Sequence, residues 1–113
     1  MNTTGSSEIQ MDKKTEELIS LLDELIAVLE SDGEEHWSQW MRDARSQLAN
    51  SDPSGIAKLR SAYGGMGSFN DLVLGQSYRD GVLCWKSGYG ELNQRFYGLR
   101  DEVYRVLGDC CLC

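Results

Sequence analysis

Over most of this chain the apolar positions recur at spacings of three and four, the period of an amphipathic helix. From Lys13 to Asp32, the residues Leu18, Leu22, Leu25 and Leu29 form one stripe, widened by Ile19, Leu21, Ile26 and Val28. Glu16, Glu17, Asp23, Glu24 and Glu30 are left for the other face. A stripe this wide needs partners on more than one side, which places the helix at the centre of a core or of an oligomer. Gly33 suits the turn that ends it. Asp32, with Glu35 three residues on, has capping-box spacing and predicts a second helix running to Ala49. Trp37, Trp40, Met41, Ala44 and Leu48 share a face of that helix. In Asn50-Ser51-Asp52-Pro53 a stop is followed by a start, with Asp52 as cap and Pro53 at the first helical position. The third helix is short, Pro53 to Ala62, with Ile56, Leu59 and Tyr63 on its buried side. The helical period returns from Glu91 to Leu107 through Leu92, Phe96, Leu99, Val103 and Val106, and Gly108 is the expected terminator.

Between the third helix and the last, the pattern breaks. Tyr63-Gly64-Gly65-Met66-Gly67-Ser68-Phe69-Asn70-Asp71-Leu72 holds three glycines in four positions. Glycine loses the most backbone freedom on ordering, so such a cluster points to positive φ, a tight turn or close approach of another molecule. Ser68 and Asp71 have capping-box spacing ahead of Leu72-Val73-Leu74, which predicts a short helical turn. Residues 75–90 read as irregular, with Val82-Leu83-Cys84-Trp85 open to either a short strand or a buried turn. The expected fold is mostly all-α, a compact bundle of four principal helices with a glycine-rich irregular segment between the third and the last. Residues 1–11 read as a disordered leader, 12–108 as one helical domain and 109–113 as a flexible cysteine-rich tail.

Charge sharpens this picture. The net charge is −7. Through Glu35 there are ten acidic residues and two lysines, a balance of −8, and from His36 onward eight acids face nine basic residues, a balance of +1. Such a chain argues against nucleic-acid binding, which depends on lysine and arginine neutralising phosphates. It fits either a solvated helix face or a surface that steers a basic protein partner. No apolar run approaches the ~20 residues that span a bilayer, and Met1 to Met11 lacks the basic and apolar regions of a signal peptide. A cytoplasmic protein without a membrane partner is expected.

The candidate chemistry is thin. Gly65-Met66-Gly67 begins like a dinucleotide fingerprint, but Asn70 occupies the place of its third glycine, no strand precedes it and no Lys-Ser/Thr pair follows. His36 is the only histidine, so paired-histidine catalysis and a histidine-rich metal site are excluded. Cys84-Trp85 faintly resembles the nucleophile region of papain-like proteases without the surrounding pattern, and a buried small hydrophobe accounts better for Cys84. Cys110-Cys111-Leu112-Cys113 is open to prenylation, soft-metal binding or redox sensing, with an incidental tail as the plainest account. No cofactor or metal is implied. With no general base paired to a credible nucleophile, a non-enzymatic role is expected.

The central segment resembles a family of small bacterial proteins. The resemblance runs from Glu35-His36-Trp37-Ser38-Gln39-Trp40 through Asp52-Pro53-Ser54-Gly55-Ile56 to Ser61-Ala62 and the glycine segment. Its specific part is Gly-Gly-Met-Gly-Ser-Phe-Asn-Asp-Leu. Such proteins resemble domains of unknown function, and small acidic members of this kind often accompany polymorphic toxins as immunity proteins. The resemblance brings no catalytic residues, and the cysteine tail lies outside it. It implies an acidic interaction protein that binds and occludes a bacterial toxin domain. Glu16, Asp23, Glu30, Glu34, Glu35, Met66, Phe69, Asn70 and Asp71 are the candidate partner contacts, and Gly64, Gly65, Gly67 and Ser68 shape the loop. Two other roles remain open: a small-ligand or nucleotide-binding regulator that uses the glycine loop, and a homodimer built on the wide stripe of the first helix.

Overall fold

A computed structural model describes residues 13–64 and 68–110, with no account of the side chains of 109 and 110. Four helices pack together: α1 (Lys13–Ser31), α2 (Glu35–Ala49), α3 (Ser54–Ala62) and α4 (Tyr89–Cys110). A 3-10 turn, Phe69–Asp71, and an antiparallel hairpin, β1 (Gln76–Arg79) and β2 (Val82–Trp85), lie between α3 and α4. The chain is a mostly helical bundle, as its hydrophobic period indicates.

α1 is the central element and packs against both α2 and α4. Its width explains this. Leu18, Leu22, Leu25 and Leu29 are fully buried, and Ile26 and Val28 nearly so. The four leucines of the stripe are therefore consumed within the monomer, while Ile19 and Leu21 at its edges are only partly buried. Met41, Ala44 and Leu48 of α2 and Phe96, Val103 and Val106 of α4 close the core from either side.

Both α1 and α2 end in the paired backbone bonds of a Schellman motif. After α1, Glu34 N–H donates to Leu29 O at 3.0 Å and Gly33 N–H to Glu30 O at 3.0 Å, with Gly33 at φ +76°. After α2, Asp52 N–H donates to Gln47 O at 2.8 Å, and Ser51 takes the left-handed position at φ 60°. α3 then starts beneath Asp52, whose Oδ1 accepts from Ser54 N–H at 3.0 Å and from Ser54 Oγ–H at 2.7 Å. These bonds favour the ionised carboxylate and hold Asp52 below the ordinary aspartate range. Gly55 lets α3 lie close on α2, because a Cβ there would meet Ala44 O and Leu48 Cγ, both at 3.0 Å.

Three expectations need correction. Asp32 does not cap α2. Glu34 does, its Oε2 accepting from Trp37 N–H at 3.3 Å. Gly108 does not end α4, which runs on to Cys110. One glycine costs a helix about 1 kcal/mol, too little to stop one whose neighbours Val103, Val106 and Leu107 are buried. The proposed tail boundary at residue 109 therefore falls inside a helix, while Cys111, Leu112 and Cys113 lie outside the described residues, as do residues 1–12. Finally, residues 76–85 form a hairpin instead of an irregular segment, so that of the two alternatives for Val82–Trp85 the strand holds and the buried turn does not.

Candidate functional site

The glycine segment was the first candidate. Gly65, Met66 and Gly67 lie outside the described residues, but both ends of the segment are fixed. Ser68 caps the 3-10 turn, its Oγ accepting from Asn70 N–H at 3.3 Å, and the short helical turn lies where the sequence predicts one. Asn70 Nδ2–H donates to Tyr63 O at 3.1 Å, the Tyr63 hydroxyl donates to Arg100 O at 2.8 Å, and Arg100 Nη1–H donates to Asn70 O at 3.3 Å. These three bonds staple the start and end of the segment to each other and to α4. The Arg100 guanidinium also stacks over Tyr97, 4.8 Å from the ring centroid. Burial pushes the Tyr63 phenol well above its ordinary value, because the interior disfavours phenolate.

Phe69 cannot serve as a partner contact. It is fully buried, with ring centroids 5.1 Å from Trp37, 5.7 Å from Tyr63 and 5.3 Å from Phe96. Its aromatic surface joins α2, the end of α3 and α4. Asn70 and Asp71 stay exposed, and Gly64 faces open space.

The acidic face of α1 also changes character. Asp23 pairs with Arg45 and Glu30 with Arg42, both arginines on α2. Glu24 lies 3.6 Å from Arg95 and Glu17 3.4 Å from Arg105, both on α4. Acidic first third and arginine-bearing remainder thus meet inside one molecule. All four pairs are exposed enough for solvent to weaken them, but they shorten the reach of the acidic field. Glu16 and Glu35 are exposed, and Glu34 is committed to its cap. Between α1 and α2 an open groove of about 380 Å³ is lined by Asp23, Ile26, Arg42, Arg45, Ser46, Ala49 and Asn50. Its two arginines are the ones already paired with Asp23 and Glu30. Among the described residues, no three His, Cys, Asp or Glu side chains are placed to share a metal ion.

The hairpin is the surface that the sequence reading missed. Tyr78 pairs with Leu83 and Gln76 with Trp85 across the strands. Alternate residues of a strand share a face, so Tyr78, Leu83 and Trp85 line one side. They are 72%, 40% and 45% exposed. Tyr89, at the start of α4, extends the patch by stacking on Trp85 with centroids 4.7 Å apart. Val82 and the half-buried Cys84 occupy the opposite side, where Cys84 is no core hydrophobe. One local signal was available. Asp80-Gly81 joins the strands, both residues at positive φ (52° and 79°), and Asp-Gly is a dipeptide favoured in two-residue hairpin turns.

Polar side chains hold the base of the hairpin. Gly75 N–H donates to Asp32 Oδ1 at 3.1 Å, and Lys86 Nζ donates to the same oxygen at 3.0 Å. Buried Asn93 of α4 treats Leu74 as a second peptide group would. Its Oδ1 accepts from Leu74 N–H at 2.8 Å, and its Nδ2–H groups donate to Leu74 O at 2.8 Å and Tyr89 O at 2.9 Å.

Residues 30–84 are similar to a family described as a domain of unknown function, DUF6966. The similarity begins in the last turn of α1 and ends within β2, so it takes in Asp32, the glycine segment and most of the hairpin. No curated protein and no solved structure matches the chain. Among the described residues, no helix is long and apolar enough to cross a membrane.

Proposed function

We propose that this is a non-enzymatic interaction protein, and more narrowly an immunity-type protein that binds a bacterial toxin domain in the cytoplasm and blocks access to its active site. The observation that carries it is the exposed apolar face of the hairpin, Tyr78, Leu83 and Trp85, continued by Tyr89. Contiguous exposed apolar side chains mark docking surfaces more often than isolated ones do. Tyrosine and tryptophan are also the residues that most often anchor protein interfaces. The resemblance to small bacterial immunity proteins supports a toxin as the partner. The net charge of −7 favours encounter with a basic domain, although the ion pairs along α1 shift the expected contact from that helix to the hairpin.

Co-expression with the toxin encoded beside it is the test. The expected result is restored growth and a complex that co-purifies, with both lost in the Tyr78→Asp/Leu83→Asp variant while its melting temperature stays near wild type. Unprotected cells, or protection indifferent to that double substitution, would overturn the proposal.

A further inference from the structure

One carboxylate joins both feet of the hairpin to the end of α1, and we infer that Asp32 is a positioning residue for the proposed docking surface. The inference rests on the interaction role proposed above and adds a residue that controls it from outside the contact. Gly75 immediately precedes β1 and Lys86 immediately follows β2. Lys86 N–H donates to Gly75 O at 2.7 Å, so the two feet of the hairpin are already closed on each other. Asp32 grips both: Oδ1 accepts from Gly75 N–H and Lys86 Nζ, and its main-chain oxygen accepts from Lys86 Nζ at 3.2 Å. That oxygen lies at the C-terminal end of α1, where the helix dipole also favours a cation.

Neither adjoining helix needs this carboxylate. α1 is closed by backbone bonds from Gly33 and Glu34, and α2 is capped by the Glu34 side chain. The Asp32 side chain is 10% exposed. Withdrawing a carboxylate from water is costly unless charge and hydrogen bonds compensate, and here both compensating donors belong to the hairpin. A lone two-stranded hairpin is marginal in water, and this one leaves its apolar face uncovered. Its direction relative to the bundle is therefore set at the base, by Asp32 on one side and Asn93 on the other. Tyr78 and Leu83 lie towards the far end, where a small change of angle at the base becomes a large displacement. Asp32 thus governs how the face is offered without being part of it.

Hydrogen–deuterium exchange on the full chain tests the positioning, and the co-expression assay tests its consequence. In Asp32→Asn and in Lys86→Met, amides of residues 76–86 should exchange about fivefold faster, the scale of a partly exposed charged contact. The amides of α2 and the core of α4 should not change. Raising salt to roughly 1 M should produce the same local acceleration in the wild type and little in either variant. The two substitutions together should add little to either alone, because they remove one shared contact. Unchanged exchange in the hairpin, or acceleration spread across the helices, overturns the positioning role. Faster hairpin exchange with undiminished toxin protection leaves the positioning intact and overturns the docking role of the hairpin instead.

Discussion

Asn93→Leu is the sharpest stability test this structure offers. Leucine has the same branched four-atom side-chain skeleton as asparagine, with bulkier methyl groups, so the substitution removes hydrogen bonds without opening a cavity. Three bonds go, two of them to the backbone of Leu74, a residue with no solvent exposure. The Leu74 N–H and C=O are then buried without partners, each costing about 1–3 kcal/mol. Tyr89 O lies at an exposed residue and can turn to water, so it adds little. Burying a leucine in place of the amide returns about 1 kcal/mol. The expected net loss is about 1–5 kcal/mol, a large part of the 5–15 kcal/mol typical of a domain. Urea unfolding followed by tryptophan fluorescence should show a lower midpoint at an unchanged slope, with a correspondingly lower melting temperature. Asn93→Asp is the control. It keeps the acceptor for Leu74 N–H, loses both donors and sets a carboxylate against two carbonyls, so it should destabilise at neutral pH and recover partly as pH falls. A loss below about 0.5 kcal/mol in Asn93→Leu would show that Leu74 finds other partners, and the account of the hairpin base would be wrong.

Two further perturbations probe neighbouring features. Gly75→Ala should cost about 3 kcal/mol, combining a left-handed conformation at φ +86° with a Cβ that would lie 2.5 Å from Tyr89 Cβ; a loss under about 1 kcal/mol by urea titration would contradict that geometry. Tyr63→Phe should cost about 1 kcal/mol through its bond to Arg100 O. Because the folded state raises the ionisation of Tyr63 above the ordinary value of 10.0, its contribution is whole below that pH and drains away as pH rises towards the folded ionisation. Stability measured between pH 9 and 12, by roughly unit steps, should therefore fall less steeply in Tyr63→Phe than in the wild type.

The helices were legible because their apolar residues are buried by their own period. Leu18, Leu22, Leu25 and Leu29 are four faces of one rule, and the structure buries every one. Leu92 and Leu99 follow the same rule but are only partly covered, since they sit at the edge of the α4 stripe. The hairpin escaped because its apolar residues are not buried, so hydrophobic alternation said nothing about a core. Asp32 escaped for a different reason. Its local spacing fits a cap, while its real partners are 43 and 54 residues away. Phe69 was misplaced because a glycine-rich neighbourhood suggests display, whereas its ring fills the junction of α2, α3 and α4. Charge was the subtlest case. Counting acids along α1 gave the sign of the face, but only the packed helices revealed that arginines of α2 and α4 stand against it.

The anchoring of the hairpin carries a consequence for how the protein comes into being. Asp32 lies near the start of the chain and Asn93 near its end, and both must be in place before the strands between them acquire a fixed direction. A chain whose last helix has not docked lacks Asn93 at the hairpin base, whatever Asp32 holds on the other side. The contact surface is thus a property of the assembled helices, present when α1 and α4 have both docked and withdrawn when either lets go.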